Sequence, residues 1–359
     1  MSSTPVVQLP DGQETVSVRM INPVNFGPAI LKRFMAPDVP GLETFKTSPS
    51  LCFLIEHPSG RKLVWDLGIR KDYNNYAPSI ASYLPTTNYK IEVTENVVDI
   101  LKTNGVVIEE IEAVIWSHWH WDHIGDPSTF PSTTDLIVGP GFKDAMLPGA
   151  PANPESPILE KDYANRNLRE ISFDGPQNLR IGRFRAFDYF EDGSFYLLDS
   201  PGHAVGHLCG LARTTKSPDT FVLLGGDVCH YAGIFRPSKY LPVPKSISPH
   251  PCRPHPGTEL CPGSAWEELQ TSRGRSPTDS LFDATFGLDL PLAAKTIGHL
   301  QELDCDENVF VIIAHDSTVR DAVPQFPNSL NAWKSEGWGK SVKWAFFRDL
   351  EAYWDSKGL

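Results

Sequence analysis

The sequence predicts an α/β fold, and three observations carry that prediction. Apolar runs with the length of strands alternate with helical segments along most of the 359 residues. Side chains that commonly bind metals stand where several of these strands end, and function collects at such ends in layered α/β folds. The composition is that of an ordinary globular protein, with 40% hydrophobic and 21% charged residues. The side chains at the strand ends are Asp66, His118, Asp227 and His315.

The chain is predicted to be a single domain over residues 1–359, because it is long enough to bury one large core. Residues 234–276 are rich in proline, carry Cys252 and Cys261, and show too little periodicity for a core element. We interpret this segment as an insertion or lid.

In the first half of the chain, the apolar runs 51–57 and 62–68 flank a Pro-Ser-Gly turn and predict a hairpin. Residues 70–89 are rich in Tyr, Asn and Pro and predict a loop that borders a pocket. Residues 94–105 predict a helix with Thr94 as its N-cap and Gly105 as its stop. The strand 108–116 follows.

In the second half, strands are predicted over 135–139, 208–212, 221–227 and 308–314. Two more, 179–190 and 194–199, flank the turn Glu191-Asp192-Gly193. Helices are predicted over 141–147 and 293–303, and residues 329–354 have amphipathic helical character that is interrupted near Gly337 and Gly339.

Charge and cysteine usage exclude several classes of protein. Lys and Arg number 32 against 44 Asp and Glu, a net charge of −12, so a nucleic-acid surface of clustered positive charge is not expected. No stretch reaches the ~20 apolar residues of a membrane span, and the first residues lack a signal-peptide pattern. We expect a cytoplasmic protein without a membrane partner. The six cysteines are scattered without a CxxC pair, so reduced thiols are expected.

The densest chemical signal is a run in which three imidazoles and a carboxylate fall within six residues. It follows the apolar stretch 113–116 and contains His118, His120, Asp122 and His123. Alternate residues of an extended segment point to one side, so the first two histidines can face one metal, and His nitrogen and Asp oxygen are ligands for zinc and similar cations. A surface cluster without metal is the alternative, and the density of ligands argues against it.

Three further candidates lie downstream. His203 stands in Pro-Gly-His-Ala-Val-Gly-His, where the glycines let the backbone bend tightly. Asp227 follows an apolar strand and two glycines, and His315 ends another strand. Taken singly, each is more often a structural or turn residue; their order and context together favour a site.

The order His-x-His-x-Asp-His, Gly-His, Gly-Asp and a strand-end His resembles the metallo-β-lactamase superfamily, most closely the lactonases that open acyl-homoserine lactones. The resemblance covers about residues 48–320 and implies a four-layer αββα sandwich with the site at one edge of the two sheets. It also implies two metal ions: one held by His118, His120 and His203, the other by Asp122, His123 and His315, with Asp227 bridging both.

Three departures from the family pattern limit what the resemblance implies. The β-lactamases of this fold have Arg in place of His123 and Cys in place of Asp227, so an antibiotic-resistance enzyme is not expected. The lactonases have a tyrosine three positions after the bridging aspartate, where this chain has His230, followed by Tyr231. The intervals between ligands are also longer than in compact lactonases, so substrate shape does not carry over.

The predicted chemistry is hydrolysis at two divalent metal ions, Zn²⁺ first, although Mn, Fe and Co accept the same ligands. Two such ions can share a hydroxide that attacks a carbonyl. Asp122 is a candidate to carry a proton to the leaving group. Either Tyr231 or His230 is a candidate donor to the oxyanion, and wall packing is the alternative for both. Asp66 either orients a ligand histidine or forms a turn.

We therefore expect a metal-dependent hydrolase whose partner is a small-molecule substrate, a cyclic ester or a cyclic amide or carbamate. A thioesterase of the hydroxyacylglutathione type is an alternative with nearly the same ligands, but the basic residues that grip glutathione are not identifiable here. A non-catalytic, metal-stabilised binding protein is the alternative from another class, and the complete ligand set argues against it. Nothing in the sequence indicates an oligomeric state.

Overall fold

The structure, a computed structural model, describes residues 7–45, 47–175 and 178–359. In chain order its strands are β1 (Ser17–Ile21), β2 (Val24–Gly27), β3 (Ala29–Ile30), β4 (Met35–Ala36), β5 (Thr44–Phe45), β6 (Ser48–Pro49), β7 (Cys52–Glu56), β8 (Lys62–Trp65), β9 (Lys90–Val93), β10 (Ile111–Ile115), β11 (Asp135–Val138), β12 (Leu168–Glu170), β13 (Arg180–Ile181), β14 (Phe184–Asp188), β15 (Phe195–Asp199), β16 (Leu208–Thr215), β17 (Thr220–Leu224), β18 (Asp283–Ala284) and β19 (Val309–Ile312).

The α-helices are α1 (Pro78–Tyr83), α2 (Val97–Thr103), α3 (Trp121–Ile124), α4 (Phe142–Met146), α5 (Glu160–Tyr163), α6 (Ala232–Phe235), α7 (Gly263–Ser272), α8 (Leu290–Asp304), α9 (Ser317–Ala322), α10 (Trp338–Val342) and α11 (Glu351–Ser356). Short 3₁₀ helices span Leu31–Arg33, Tyr73–Asn75, Leu84–Thr87, Ile108–Glu110, Pro127–Thr129 and Ala345–Leu350. In the part of the chain that the structure describes, no helix combines the length and the apolar character needed to cross a membrane.

The first large sheet has the strand order β1-β7-β8-β10-β11-β12. Strands β7 and β8 form the predicted hairpin, with Phe53 opposite Trp65. Strand β10 lies parallel to both β8 and β11. Because β8 and β10 run in the same direction, the loops that follow Trp65 and Ile115 leave the sheet at the same edge.

The second large sheet has the order β13-β14-β15-β16-β17-β19. It is antiparallel as far as β17, and β19 then pairs parallel to β17 with Leu224 opposite Ile312. The residues that follow β17 and β19 therefore also meet at one edge, and these residues include Asp227 and His315.

Side chains alternate across both sheets and so build three apolar layers between four layers of backbone. Phe53 and Ile55 pack into the core between the two sheets, whereas Leu54 on the same strand packs outward against α2 and α4. The outer face of the second sheet packs against α7 and α8. This arrangement confirms the predicted αββα sandwich.

The predictions for individual elements were correct in the sheets and less accurate outside them. Residues 70–89 were predicted as loop but contain α1 and two 3₁₀ turns. The second helix has Asn96, not Thr94, at its N-cap position. The predicted strand 179–190 is two strands, β13 and β14. Residues 329–354 are interrupted at Gly337, as predicted, but the part that follows is divided further into α10, a 3₁₀ helix and the start of α11.

The Pro-rich segment 234–276 contributes to the core, which the sequence did not predict. It contains α7, whose Trp266 is buried and stacks on Phe347 with ring centroids 5.3 Å apart. Leu260 and Leu269 are buried in the same apolar cluster. The six cysteines are all unpaired.

Candidate metal centre

The histidine-rich run begins where β10 ends at the edge of the first sheet. His120 has extended backbone and stands at the N-cap of the short helix α3, so the chain turns between His120 and Asp122. Gly125 ends that helix at a φ of +47°, and a Cβ there would lie 2.4 Å from the Cβ of Leu67. The absence of a side chain at Gly125 therefore lets the run pack closely against the loop that follows β8.

The first group of ligand-type atoms joins three imidazoles and one carboxylate. The Nε2 atom of His203 lies 3.2 Å from Nε2 of His118 and 3.0 Å from Nδ1 of His120. The Oδ2 atom of Asp227 lies 3.7 Å from Nε2 of His203. One atom from each of the four residues falls within 4.8 Å of the other three.

The second group shares Asp227 with the first. Its Oδ1 atom lies 3.2 Å from Nε2 of His123 and 3.1 Å from Nε2 of His315. The Oδ2 atom of Asp122 lies 3.5 Å from the same nitrogen of His315. These four residues also offer one atom each within 4.8 Å of one another.

These donor sets fit divalent cations. Three imidazole nitrogens converge in the first group, where they cannot all hydrogen-bond to one another. In the second group, Nε2 of His123 and Oδ1 of Asp227 are buried without a hydrogen-bond partner among the described residues. Buried polar atoms in native proteins are normally satisfied, and nitrogen and oxygen atoms of this kind are ligands for zinc, manganese, iron and cobalt.

Contacts behind the two groups fix the orientation of the rings. Asp66 accepts hydrogen bonds from the backbone N–H of Ser117 at 2.6 Å and from Nδ1 of His123 at 2.9 Å. Its role is therefore to orient a histidine, one of the two roles that the sequence left open. Nδ1 of His315 lies 2.7 Å from the carbonyl oxygen of Pro49.

His207 provides a further contact that the sequence analysis did not identify. Its Nε2 accepts a hydrogen bond from the backbone N–H of Asp227 at 3.0 Å, and its Nδ1 lies 2.8 Å from the hydroxyl of Ser200. The signal was present in the sequence, because His207 ends the Gly-His-Ala-Val-Gly-His motif that contains His203.

Burial and nearby charges shift the pKa values of the histidines in the two groups in different directions. Burial lowers the pKa of His118 and His203 well below the usual value and that of His120 to about 4. Burial also disfavours protonated His123, but the carboxylates of Asp227, Asp122 and Asp66 together outweigh it and raise the pKa of that ring. The imidazoles of the first group are therefore neutral, which is the form that binds metals. A metal ion that binds at the second group would displace a proton from His123.

A cavity of about 210 Å³ opens beside the two groups. Its walls are mainly aromatic, and they come from the N-terminal residues 26–48, from residues 80–89, from the histidine-rich run and from Phe286. The lining residues are Phe26, Ala29, Arg33, Phe34, Phe45, Ser48, Ile80, Tyr83, Tyr89, Trp119, His120, Trp121, Asp122, Asp227, His230, Phe286 and His315. Residues 80–89 do border the pocket, as the sequence predicted.

Two features of this pocket differ from the predictions. None of residues 234–276 lines it, so that segment does not cover it as a lid. The hydroxyl of Tyr231 donates instead to the carbonyl oxygen of Phe346 at 3.0 Å and lies 3.1 Å from Asp349. Tyr231 is buried behind the site and does not line the cavity, whereas His230 does, with its Nε2 atom 3.4 Å from Oδ2 of Asp227.

A family model described as the metallo-beta-lactamase superfamily matches residues 46–250 of this chain. That match covers more than half of the sequence. The chain belongs to the metallo-beta-lactamase superfamily. The prediction made from the ligand motif is thereby confirmed, and the protein is a hydrolase of the lactamase and lactonase type.

Comparison with other proteins agrees with this assignment. Gamma-lactamase FDB1 of Fusarium pseudograminearum is 43% identical over 357 residues, covering 96% of this chain and 85% of that protein. Cytochrome P450 monooxygenase mpaDE of Penicillium roqueforti is 42% identical over 353 residues, which cover 97% of this chain. The match spans 39% of the length of that larger protein.

The fold also resembles a solved superfamily structure. A mutant of B. thuringiensis AiiA, with N-decanoyl-L-homoserine bound at its active site, superposes with a TM-score of 0.56. The match covers 88% of this chain and all of that one, at 18% sequence identity. At this identity the likeness supports the αββα fold alone.

Proposed function

We propose that this protein opens a small cyclic amide or cyclic ester by hydrolysis at a dinuclear metal centre. The observation that carries the proposal is the pair of ligand groups that share Asp227 beside one cavity. In this assignment His118, His120 and His203 would hold one divalent ion, and Asp122, His123 and His315 would hold the other. Asp227 belongs to both groups and would be shared between them, and Zn²⁺ is the first candidate for both positions.

Two divalent ions held in this way would lower the pKa of a water molecule toward neutrality and polarise a carbonyl. The protein's own contribution is to hold the ligand rings in place and to exclude bulk water. Asp66 orients the ring of His123 by a hydrogen bond to its Nδ1 atom. His207 holds the backbone of Asp227 by accepting a hydrogen bond from its N–H. The aromatic cavity walls present an apolar surface to the remainder of the substrate.

Ring opening of an amide also requires a proton for the departing nitrogen. Asp122 and His230 both line the cavity beside Asp227. We assign proton delivery to Asp122, whose Oδ2 lies 3.5 Å from His315 Nε2. We assign to His230 a hydrogen bond to the substrate carbonyl oxygen, because His230 lines the cavity whereas the Tyr231 hydroxyl is bonded to the backbone of Phe346.

The relatives favour a cyclic amide over a cyclic ester as the first substrate to examine. Gamma-lactamase FDB1 matches this chain over nearly its full length at 43% identity. The sequence motif alone ranks the ester first, so both ring types belong in the same assay.

The test is a substrate panel run on purified protein of measured metal content. The panel contains γ-lactams, lactones, cyclic carbamates, a glutathione thioester and a phosphodiester. We expect hydrolysis of a lactam or lactone that falls at least a hundredfold in His120→Ala and Asp227→Asn variants. The matched control is His299→Ala, which removes a histidine that belongs to neither ligand group and does not line the cavity. Turnover of the thioester or phosphodiester alone, or full activity in both site variants, would overturn the proposal.

A further inference from the structure

The cavity beside the metal ligands contains a positive charge whose role the proposed function does not explain. Among the described residues that line it, Arg33 is the one lysine or arginine. Arg33 ends the short 3₁₀ helix Leu31–Arg33. Arg33 and the preceding Lys32 are both exposed, but Arg33 lines the cavity and Lys32 does not. A single cation in a mainly aromatic wall is the kind of precisely placed polar group that orients a bound molecule.

Three aromatic rings hold the guanidinium group in position. Its Cζ atom lies 5.6 Å from the ring centroid of Phe34, 5.6 Å from that of Tyr83 and 5.4 Å from that of Phe286. At these distances the electron-rich face of each ring attracts the cation. The side chain is therefore ordered before a ligand arrives, which reduces the entropy that binding would cost.

Within the described part of the chain, no carboxylate forms an ion pair with Arg33, although Arg19, Arg61 and Arg70 all have acidic partners. A guanidinium presents a planar set of N–H donors that matches a carboxylate with two parallel hydrogen bonds. Aromatic faces cannot satisfy those donors in the plane of the group. The in-plane donors are thus available to a ligand.

The ring of Phe286 sets an upper limit on how far this charge lies from the ligand cluster. The Phe286 ring is 5.4 Å from Cζ of Arg33 and 5.9 Å from the ring of His203, so Arg33 lies within about 11 Å of His203. Phe286 also contacts the rings of His120 and His230, at 6.1 Å and 5.4 Å. A ligand about one substituted ring in length spans this distance.

We propose that Arg33 determines specificity by binding a carboxylate that the substrate carries at the end remote from the bond being hydrolysed. This inference rests on the proposed function, and it narrows the substrate to cyclic amides or esters that bear such an anion. The surface of a chain with net charge −12 repels anions in general. A local cation is therefore needed for an acidic substrate to be retained in this cavity.

The kinetic test uses two substrates that differ in charge alone: a γ-lactam with a phenyl substituent bearing a para carboxylate, and its para carboxamide counterpart. In Arg33→Met we expect KM for the carboxylate to rise roughly tenfold, as for a lost hydrogen bond between charged groups. The kcat should change by less than about twofold, and KM for the carboxamide should not change. Lys32→Met removes a neighbouring charge outside the cavity and should behave as wild type. Equal losses on both substrates, or none, would overturn the proposal.

A binding measurement separates this proposal from the proposed function, because it needs no turnover. Trp119 and Trp121 line the cavity, so their fluorescence reports on occupancy. We expect benzoate to bind the wild type roughly tenfold more tightly than Arg33→Met, and benzamide to bind both proteins equally. That result supports the role of Arg33 even if no lactam or lactone is hydrolysed. Benzoate affinity that is equal in the two proteins contradicts it.

Discussion

His230 and Tyr231 are neighbours in the chain but face different environments. Tyr231 has extended backbone, with φ −155° and ψ 141°, and successive side chains of an extended segment point to opposite sides. His230 therefore faces the cavity, where its ring lies 4.9 Å from that of Phe34. The Tyr231 hydroxyl instead meets the backbone of Phe346.

This difference predicts that a substitution at Tyr231 affects stability, whereas a substitution at His230 affects catalysis. Tyr231→Phe removes a buried hydrogen bond and should lower the free energy of unfolding by about 1 kcal/mol, with hydrolysis unchanged. His230→Gln replaces the imidazole in the cavity wall by a flexible amide that does not hold its N–H donor at the same place, so kcat should fall at least tenfold, as for a displaced oxyanion donor. Urea unfolding and steady-state kinetics on both variants check this. A loss of kcat in Tyr231→Phe as large as that in His230→Gln contradicts the assignment.

The seven ligand-type residues of the two groups could be proposed from the sequence because six stand in local motifs and the seventh, His315, ends an apolar strand. The histidine-rich run, the Gly-His pair and the Gly-Asp pair are visible without knowledge of any contact. The cavity wall was not predictable in the same way. Phe34 and Phe286 lie 5.3 Å apart although about 250 residues separate them, and no local pattern marks either.

At the scale of elements, the strand ends position the site. β17 and β19 are parallel neighbours, so Asp227 and His315 leave the second sheet at one edge. Apolar runs predicted most central strands, because burial on both faces selects such residues. The runs did not reveal which strands pair.

Helix α7 was not predicted because prolines flank it in the sequence and because its burial depends on contact with a distant residue, Phe347.

The start of α8 packs directly against the loop that carries His203. Gly202 has a φ of +124°, and a Cβ there would lie 2.3 Å from the backbone nitrogen of Ala293. Gly202→Ala should therefore cost roughly 1–3 kcal/mol of stability and displace His203, reducing the metal content. Gly298→Ala, in the middle of the same helix, meets no atom within 4 Å and should stabilise by about 1 kcal/mol.

Urea unfolding midpoints and elemental analysis measure both glycine variants. The matched pair separates a general effect on α8 from an effect at its contact with the His203 loop. A stable, fully metal-loaded Gly202→Ala protein would show that the loop can move without affecting the ligands.

At the scale of the whole molecule, a buried charge cluster joins three distant parts of the chain. Arg236 follows α6 and donates to both carboxylate oxygens of Asp304 at the end of α8, at 2.8 Å and 2.6 Å. Lys343, just after α10, donates to the Asp304 backbone carbonyl at 2.7 Å. Arg236 and Asp304 are each 2% exposed, so neither charge has water as a substitute partner.

This cluster predicts part of the pH dependence of stability. Burial raises the pKa of Asp304, but Arg236 and Lys343 outweigh it and lower the pKa to about 2. The unfolded value is about 4, so the stabilisation is complete above that pH and is lost as the pH falls from about 4 to about 2. Asp304→Asn should remove this dependence and cost roughly 3–5 kcal/mol at pH 7, because Arg236 stays buried without its partner.

Urea unfolding of wild type and Asp304→Asn at pH 7, 4 and 3 gives the comparison. The difference in stability between them should shrink toward the lowest pH. A difference that stays constant from pH 7 to pH 3 shows that Asp304 does not titrate with folding in this range. Glu109→Gln, an exposed acidic side chain on the surface, serves as the control.

Metal reconstitution tests whether one chain holds two catalytic metal ions. Metal-free protein is titrated with Zn²⁺, and bound zinc and hydrolysis of a γ-lactam or lactone are measured on the same samples. We expect saturation at two zinc ions per chain with activity appearing as the sites fill, and weakened binding of both ions in Asp227→Asn. Full hydrolysis by metal-free protein, or saturation at a single ion with full activity, would contradict it.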